Sequence, residues 1–199
     1  NILIANQVLQ TAELRGIAAL QSQFTDLRLV FLLDSPAQLA LIEAAQAPRP
    51  FEVLLELGLA NGRTGSRTHE EAIALARLAH ASAAVKLAGI ECYEGLAATG
   101  EDAADREHTR SLMARVAEIA RQCEREALFD TDEVIVSAGG SAIFDLVVPA
   151  LKVDLRRPVL PLLRSGCYVT HDDGFYKRMV SAVNRRLGCD DAQGLQAAI

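Results

Sequence analysis

The chain has 199 residues, 50% hydrophobic and 23% charged, which is enough apolar material for one large domain. Its net charge of -6 argues against nucleic acid or an anionic membrane surface as main partner, and no run approaches the ~18 apolar residues of a membrane span. The four cysteines form no CxxC pair, which argues against a disulfide framework or structural zinc and favours a reducing cytoplasm.

Six apolar runs rich in Val, Ile and Leu predict β-strands buried on both faces. In chain order they cover residues 2–6, 27–34, 52–59, 85–91, 133–138 and 159–164. Helical patterns cover residues 8–23, 36–45, 70–83 and 102–127, and a further helix is expected behind Ser141 as its N-cap. Residues 188–199 lack clear patterning, so we expect a barrel domain over 1–187 followed by a tail or the start of another element.

The strict alternation of strands and helices predicts a parallel sheet with right-handed crossovers. A closed barrel and an open doubly wound sheet both fit this order. The nucleotide-binding motifs GxGxxG and GxxxxGK[ST] are absent, which counts against the nucleotide-binding forms of the open sheet. Six strands are two short of the eight that close a TIM-type barrel.

Four of the predicted strands end in a glycine-bearing polar cluster: LANGRTGSR, CYEG, SAGGSAIFD and RSGCY. Because parallel strands present their carboxyl ends at one edge, these clusters predict a common site there. Arg63 can present its guanidinium to a phenolate, carboxylate or phosphate, or it is a solvated arginine on a surface turn. Tyr93 can lie against a planar ligand or donate a proton, or it is a packing residue.

Two of the clusters have the features of an anion site. Gly139 and Gly140 lie between a buried strand and a helix N-terminus, which together favour phosphate binding. In the last cluster Gly166 and Cys167 can offer backbone N–H groups for the same anion. Residues 171–173 (His-Asp-Asp) are interpreted as a loop, because no second His or Cys at ligand spacing supports a metal site.

Taken in order, the motifs resemble the fold-type III, alanine-racemase-like family of pyridoxal-phosphate enzymes. The resemblance is strongest to the branch of D-threonine aldolase and D-serine dehydratase (D-amino-acid deaminase). It rests on six segments: ILIANQV, FLLDSPAQL, ELGLANGRTGSR, GIECYEG, VSAGGSAIFD and LRSGCYVTHDDGFY. The fold it implies is a (β/α)8 barrel, of which this chain is expected to hold six strands without the first strands and the C-terminal β domain.

The resemblance also implies roles for particular residues. Arg63 matches the arginine that bonds the phenolic oxygen of the cofactor, and Tyr93 matches the residue whose ring lies against the pyridine or transfers a proton. Arg164 resembles the arginine that alanine racemases point at the pyridine nitrogen. The remaining cofactor-binding positions, mostly for the phosphate, are Ser137, Gly139, Gly140, Ser141, Gly166, Cys167 and Tyr168.

The chain departs from the family pattern in three ways. The Schiff-base lysine of the family precedes the point where this chain begins, and Lys86, Lys152 and Lys177 are poor substitutes. Lys86 starts its strand, so the seven residues to Tyr93 place it about 23 Å away, at the opposite end of the sheet. Leu96 replaces a histidine that many relatives carry, and the metal site of the missing C-terminal domain has no counterpart here.

The resulting expectation is a lyase that acts on a D-β-hydroxy amino acid, most like a D-serine dehydratase, in a cytoplasmic homodimer. D-threonine aldolase is the alternative within the same branch. A carrier protein that binds pyridoxal phosphate without catalysis is an alternative of another class. A phosphate-binding barrel aldolase that uses Lys86 is a third hypothesis, which the strand-end argument disfavours.

Overall fold

The computed structural model describes residues 1–139, 142–164 and 175–190. Within them, six parallel strands form one sheet in which each strand pairs with the next along the chain. The strands are β1 (Ile2–Gln7), β2 (Leu29–Leu33), β3 (Phe51–Leu57), β4 (Val85–Cys92), β5 (Val134–Ala138) and β6 (Val159–Leu163). The six predicted strands are therefore confirmed, with ends that differ by at most two residues.

The helices of the described residues are α1 (Thr11–Gln23), α2 (Pro36–Ala44), α3 (His69–Ala81), α4 (Asp102–Arg125), α5 (Phe144–Val147) and α6 (Phe175–Leu187). Two of them begin with the local chemistry that favours a helix. Ser35 accepts from the Gln38 N–H and is followed by a proline, and Thr68 forms a capping box with Glu71. None of these helices is both long enough and apolar enough to span a membrane.

The connection between β5 and β6 differs from the prediction. We expected a full helix with Ser141 at its N-cap, but α5 begins at Phe144 with Ile143 at the cap position. It lasts a single turn and continues as a 3-10 turn over Val148–Leu151. Pro149 lies two residues beyond the end of α5 and cannot donate the backbone hydrogen bond that a longer α-helix needs there.

The two faces of the sheet are packed differently. One face lies under the helices and holds the large apolar core, which includes Phe31, Leu55 and Ile90. The other face, called here the inner face, carries a smaller apolar cluster of Val30, Leu32, Leu54, Ala88 and Ile135. Since successive strand residues alternate between faces, the inner face continues beyond this cluster with the residues at the carboxyl ends of the strands.

A bulge in β4 decides which of its residues reach the inner face. The pairing of β3 with β4 slips by one residue, because Val53 pairs with Leu87 whereas Leu54 pairs with Gly89. A Cβ atom on Gly89 would lie 1.9 Å from the carbonyl oxygen of Ile135, so only glycine allows β5 to approach here. Beyond the bulge, Glu91 shares the inner face with its register partners on β3 and β5.

Candidate functional site

Polar side chains replace the apolar cluster where the inner face ends. Glu56 on β3 pairs in register with Glu91 on β4, which in turn pairs with Ser137 on β5. Asp34 follows the last residue of β2, and Arg164 follows the last residue of β6. The Arg164 N–H continues the pairing of β6 with β5. Five strands thus deliver ionisable or hydroxyl groups to one edge of the sheet, the edge at which the four glycine-bearing clusters were predicted to gather.

A buried ion pair in this polar layer joins Glu91 to Arg164. A carboxylate oxygen of Glu91 forms an ion pair with the Arg164 guanidinium, although the side chains are only 1% and 14% exposed. Arg164 also donates to the Cys92 carbonyl oxygen over 3.0 Å. Burial raises the pKa of Glu91 to about 7; the Arg164 charge opposes this rise and the Glu56 carboxylate adds to it.

Glu56 is also buried, but its carboxylate is fully engaged. It accepts hydrogen bonds from the Gln7 amide and from the Thr64 hydroxyl. Burial raises its pKa, the Thr64 bond opposes that rise, and the nearby Asp34 carboxylate adds to it. Glu56 therefore links β1 and the loop after β3 into the polar layer.

The loop after β3 is folded tightly against its own strand. Gly65 has a φ of 87°, and a Cβ on Gly58 would lie 2.0 Å from the Thr64 carbonyl oxygen. The Gly58 N–H donates to the Ser66 carbonyl, and the Ser66 N–H donates to the Glu56 carbonyl. Gly58 and Gly65 therefore allow the loop to fold back tightly on its strand.

Arg115 on α4 holds the same loop from outside the sheet. Its guanidinium donates to the carbonyl oxygens of Gly58 and Ser66 over 2.7 Å each, and to that of Thr68 over 3.1 Å. Three carbonyls from both ends of the loop therefore share one cation. This arrangement fixes the loop that presents Arg63.

Arg63 and Tyr93, predicted from separate clusters, lie next to each other. The Arg63 guanidinium lies 5.3 Å from the centre of the Tyr93 ring, within the range of a cation–π contact. Within the described residues Arg63 has no hydrogen bond or ion pair, so its donors are available to an anionic group. Tyr93 is half-buried, and its ring therefore supports the guanidinium without removing it from solvent.

The Tyr93 ring is also bounded by two glycines. A Cβ on Gly139 would lie 2.3 Å from Cδ2 of the ring, and a Cβ on Gly95 would lie 2.7 Å from its hydroxyl oxygen. Both distances are far shorter than van der Waals contact, so a side chain at either position would displace the ring. Gly139 thus brings the start of the predicted phosphate cluster into contact with the residue predicted to support a planar ligand.

The other predicted site residues are placed as follows. Ser137 lies on the inner face, and its hydroxyl donates to the Leu162 carbonyl over 2.9 Å, which ties β5 to β6. Leu96 belongs to a 3-10 turn, Gly95–Ala97, directly after Tyr93 and Glu94. The predicted site residues that lie outside the described residues are Gly140, Ser141, Gly166, Cys167 and Tyr168, together with the loop at 171–173.

The lysines lie away from this edge or on the surface. Lys86 is exposed and pairs in register with Glu52 near the start of β3, which confirms its predicted place at the amino end of the sheet. Lys152 is exposed before β6, and Lys177 is exposed on α6. Among the residues that the structure describes, no group of three His, Cys, Asp or Glu side chains is arranged to hold a metal ion.

Sequence reasoning missed three residues whose contacts hold the predicted site residues and their loop in place. Glu91 and Glu56 were quoted within strand motifs but received no role, and Arg115 was not considered. An ionisable residue inside an otherwise apolar strand is itself a signal, because such groups are rarely buried without a partner. The position of Arg115 opposite the loop has no local signal in the sequence.

Comparison with known proteins agrees with this geometry. Residues 9–158 match the family model of the alanine racemase N-terminal domain. The fold is similar to that of D-threonine aldolase from Filomicrobium marinum, with 20% identity and a TM-score of 0.65 over 89% of this chain and 45% of that one. No curated protein sequence gives a significant match.

Two other solved structures share the fold. A variant of D-threo-3-hydroxyaspartate dehydratase has 23% identity and a TM-score of 0.56 over 86% of this chain and 42% of its own. PipY of Synechococcus elongatus, solved with PLP bound, has 14% identity and a TM-score of 0.50 over 83% of this chain and 90% of its own. The chain thus spans less than half the length of the first two proteins. Because the family model covers more than half of the chain, this protein belongs to the family of the alanine racemase N-terminal domain, the fold-type III group of pyridoxal-phosphate proteins.

Proposed function

We propose that this chain is the cofactor-binding barrel portion of a pyridoxal-phosphate lyase that acts on a D-amino acid with a β-hydroxyl group. The observation that carries the proposal is the meeting of Arg63, Tyr93 and Gly139 at the carboxyl edge of the sheet, beside the buried pair of Glu91 and Arg164. These groups come from four different strand ends, and each suits one part of a flat, anionic, aromatic ligand.

The chemistry of the residues present fits this cofactor. Arg63 keeps its guanidinium donors available beside an aromatic ring, which suits a phenolate oxygen on a planar ligand. Gly139 leaves no room for a side chain next to Tyr93, so a backbone N–H can approach a ligand there. Oε2 of Glu91 and Nε of Arg164 are buried and have no hydrogen-bond partner among the described residues, which points to a polar ligand.

Pyridoxal phosphate, when bound, supplies an electron sink that stabilises negative charge at the α-carbon of an amino acid. The roles of this chain are to bind and orient. Arg63 would hold an anionic oxygen of the cofactor, Tyr93 would support the ring or carry a proton, and Arg164 would contact the ring edge. Gly139, with Ser137 nearby and with Gly140, Ser141, Gly166, Cys167 and Tyr168, would bind the phosphate.

Both candidate reactions depend on the hydroxyl group at the β-carbon. In a dehydratase the α-proton is removed and the β-hydroxyl departs as water; the resulting enamine hydrolyses to a keto acid and ammonia. In an aldolase the bond between the α- and β-carbons breaks as the β-hydroxyl loses its proton, which yields glycine and an aldehyde. Two similar structures bear the names of enzymes for such substrates, and we favour the dehydratase. The lysine that reacts with the cofactor would lie outside this chain.

A carrier function is the second candidate. It is supported by the fold likeness to PipY, a protein that was solved with PLP bound. A carrier would bind the same cofactor through the same residues, and no amino acid would be turned over.

The test uses the purified full-length protein with added pyridoxal phosphate. We expect a visible absorbance band, a lysine labelled by the cofactor after borohydride reduction, and keto acid and ammonia released from D-serine but not from L-serine. Glycine and an aldehyde formed from D-threonine would select the aldolase instead. Cofactor binding without turnover of any D-β-hydroxy amino acid would select the carrier, and the absence of cofactor binding would refute the proposal.

A further inference from the structure

The pair of Glu91 and Arg164 differs from the other polar groups of the inner face. The Glu56 carboxylate already accepts two hydrogen bonds, and the Ser137 hydroxyl already donates one to β6. Glu91 and Arg164, in contrast, each keep one buried polar atom, Oε2 and Nε, without a hydrogen-bond partner among the described residues. The pair is therefore bonded to itself on one side and keeps an unsatisfied acceptor and an unsatisfied donor on the other.

The pair also fixes the position of the Arg164 guanidinium and offsets its charge at this edge of the sheet. Arg164 is bound both by the Glu91 carboxylate and by the Cys92 carbonyl, so the last two residues of β4 decide where its guanidinium lies. An arginine held by two acceptors from one strand has little freedom to turn. Its positive charge is met at contact distance by a carboxylate that is almost completely shielded from water.

Resting on the function proposed above, we propose that Glu91 is a positioning residue that fixes Arg164 for contact with the cofactor and offsets its charge. The cofactor would then face a glutamate–arginine pair and not a lone guanidinium. A lone cation disfavours protonation of a neighbouring basic nitrogen, and a paired one does so much less. Glu91 would thus let the bound cofactor keep a proton to a higher pH.

The other charges around Glu91 determine how strongly it can act. Glu56 lies beside it on β3, with Asp34 at the end of β2, and Glu94 follows on its own segment. Among the residues that the structure describes, the cations of this edge are Arg164 on the β6 side and Arg63 on the loop after β3. Because the acidic neighbours favour the protonated form of Glu91, the offset is largest at alkaline pH, where the carboxyl is ionised.

The test compares Glu91→Gln with the wild type in the full-length, cofactor-loaded protein. The readout is the pH midpoint at which the absorbance spectrum of the bound cofactor changes. We expect this midpoint to fall by about one pH unit or more in the variant, because Arg164 is left unpaired. Glu52→Gln is the matched control: it removes a glutamate that pairs with Arg28 at the amino end of the sheet, and it should leave the midpoint unchanged.

A second variant keeps the inference testable if Glu91→Gln folds poorly. Arg164→Gln removes the cation and should move the midpoint in the opposite direction, and the double variant should return close to the wild-type value. An unchanged midpoint in a single variant that still binds the cofactor would overturn the inference alone. A wild-type protein that binds no pyridoxal phosphate would overturn the proposed function, and the inference with it.

Discussion

Gly139 touches the ring of Tyr93 so closely that no side chain fits between them: a Cβ would lie 2.3 Å from Cδ2 and 2.6 Å from Cε2. Gly139 directly follows β5 and begins the cluster predicted to bind phosphate, and the Tyr93 ring supports Arg63. The backbone of one cluster is thus in direct contact with the Tyr93 side chain of a second, which in turn contacts Arg63 of a third. A side chain at Gly139 should therefore displace the Tyr93 ring and, through it, the Arg63 guanidinium.

Gly139→Ala should weaken pyridoxal-phosphate binding by about tenfold or more and destabilise the fold by about 1–3 kcal/mol, because the ring must move. Fluorescence titration with the cofactor and urea denaturation measure the two effects. Gly16→Ala is the matched control: it lies in α1, and its added Cβ meets nothing within 4 Å. That variant should bind normally and gain about 0.5–1 kcal/mol of stability. Equal cofactor affinity in both variants would contradict the assignment of Gly139 to the site.

Arg115→Met should loosen the loop that presents Arg63. Three hydrogen bonds from a half-buried cation are lost, which costs about 1–3 kcal/mol and leaves carbonyl oxygens without a donor. We expect weaker cofactor binding and faster limited proteolysis at residues 59–65. Arg110→Met, on the same helix, removes only an exposed pair with Glu107 and should change stability by less than about 0.5 kcal/mol. A loop that stays protected in Arg115→Met would show that the strand alone holds it.

The sequence predicted the strands and the meeting of Arg63 with Tyr93 for one reason. Buried parallel strands read as apolar runs, and their carboxyl ends must gather at one edge. The contact of Glu91 with Arg164 could not be predicted from the sequence. It depends on the bulge at Ala88, which changes which β4 residues lie on the inner face. The single turn of α5 was also missed, since the cap candidate Ser141 precedes the real start of the helix at Phe144.

The stability of the cofactor-free protein should fall as the pH rises from about 4.5 to 7. The folded-state pKa of Glu91 is raised to about 7, so the unfolded chain holds fewer protons than the folded one in this window. The full effect of such a rise is about 3 kcal/mol, and the raised pKa of Glu56 acts in the same direction. Urea denaturation at several pH values should show a smaller fall in Glu91→Gln, whereas Glu52→Gln should keep the wild-type slope. An equal slope in Glu91→Gln would contradict the raised pKa.

Arg186→Met should detach α6 from the barrel. The Arg186 guanidinium donates to both carboxylate oxygens of Asp145 over 2.6 and 2.8 Å and lies 4.0 Å from the fully buried Asp105. Removing it leaves buried carboxylates without their cation, which costs about 3–5 kcal/mol. Arg185→Met, one position away and exposed, should change stability by less than about 0.5 kcal/mol.

The double variant Arg186→Met with Asp145→Leu separates charge burial from simple loss of packing. Because the Asp145 carboxylate, which lacks a cation in Arg186→Met, is then also removed, the double variant should recover about 1–2 kcal/mol of unfolding free energy relative to Arg186→Met alone. Chemical denaturation of the wild type, the two single variants and the double variant measures the coupling energy between Arg186 and Asp145. A double variant less stable than Arg186→Met would mean that packing of the two side chains, and not the pairing of their charges, joins α6 to α5.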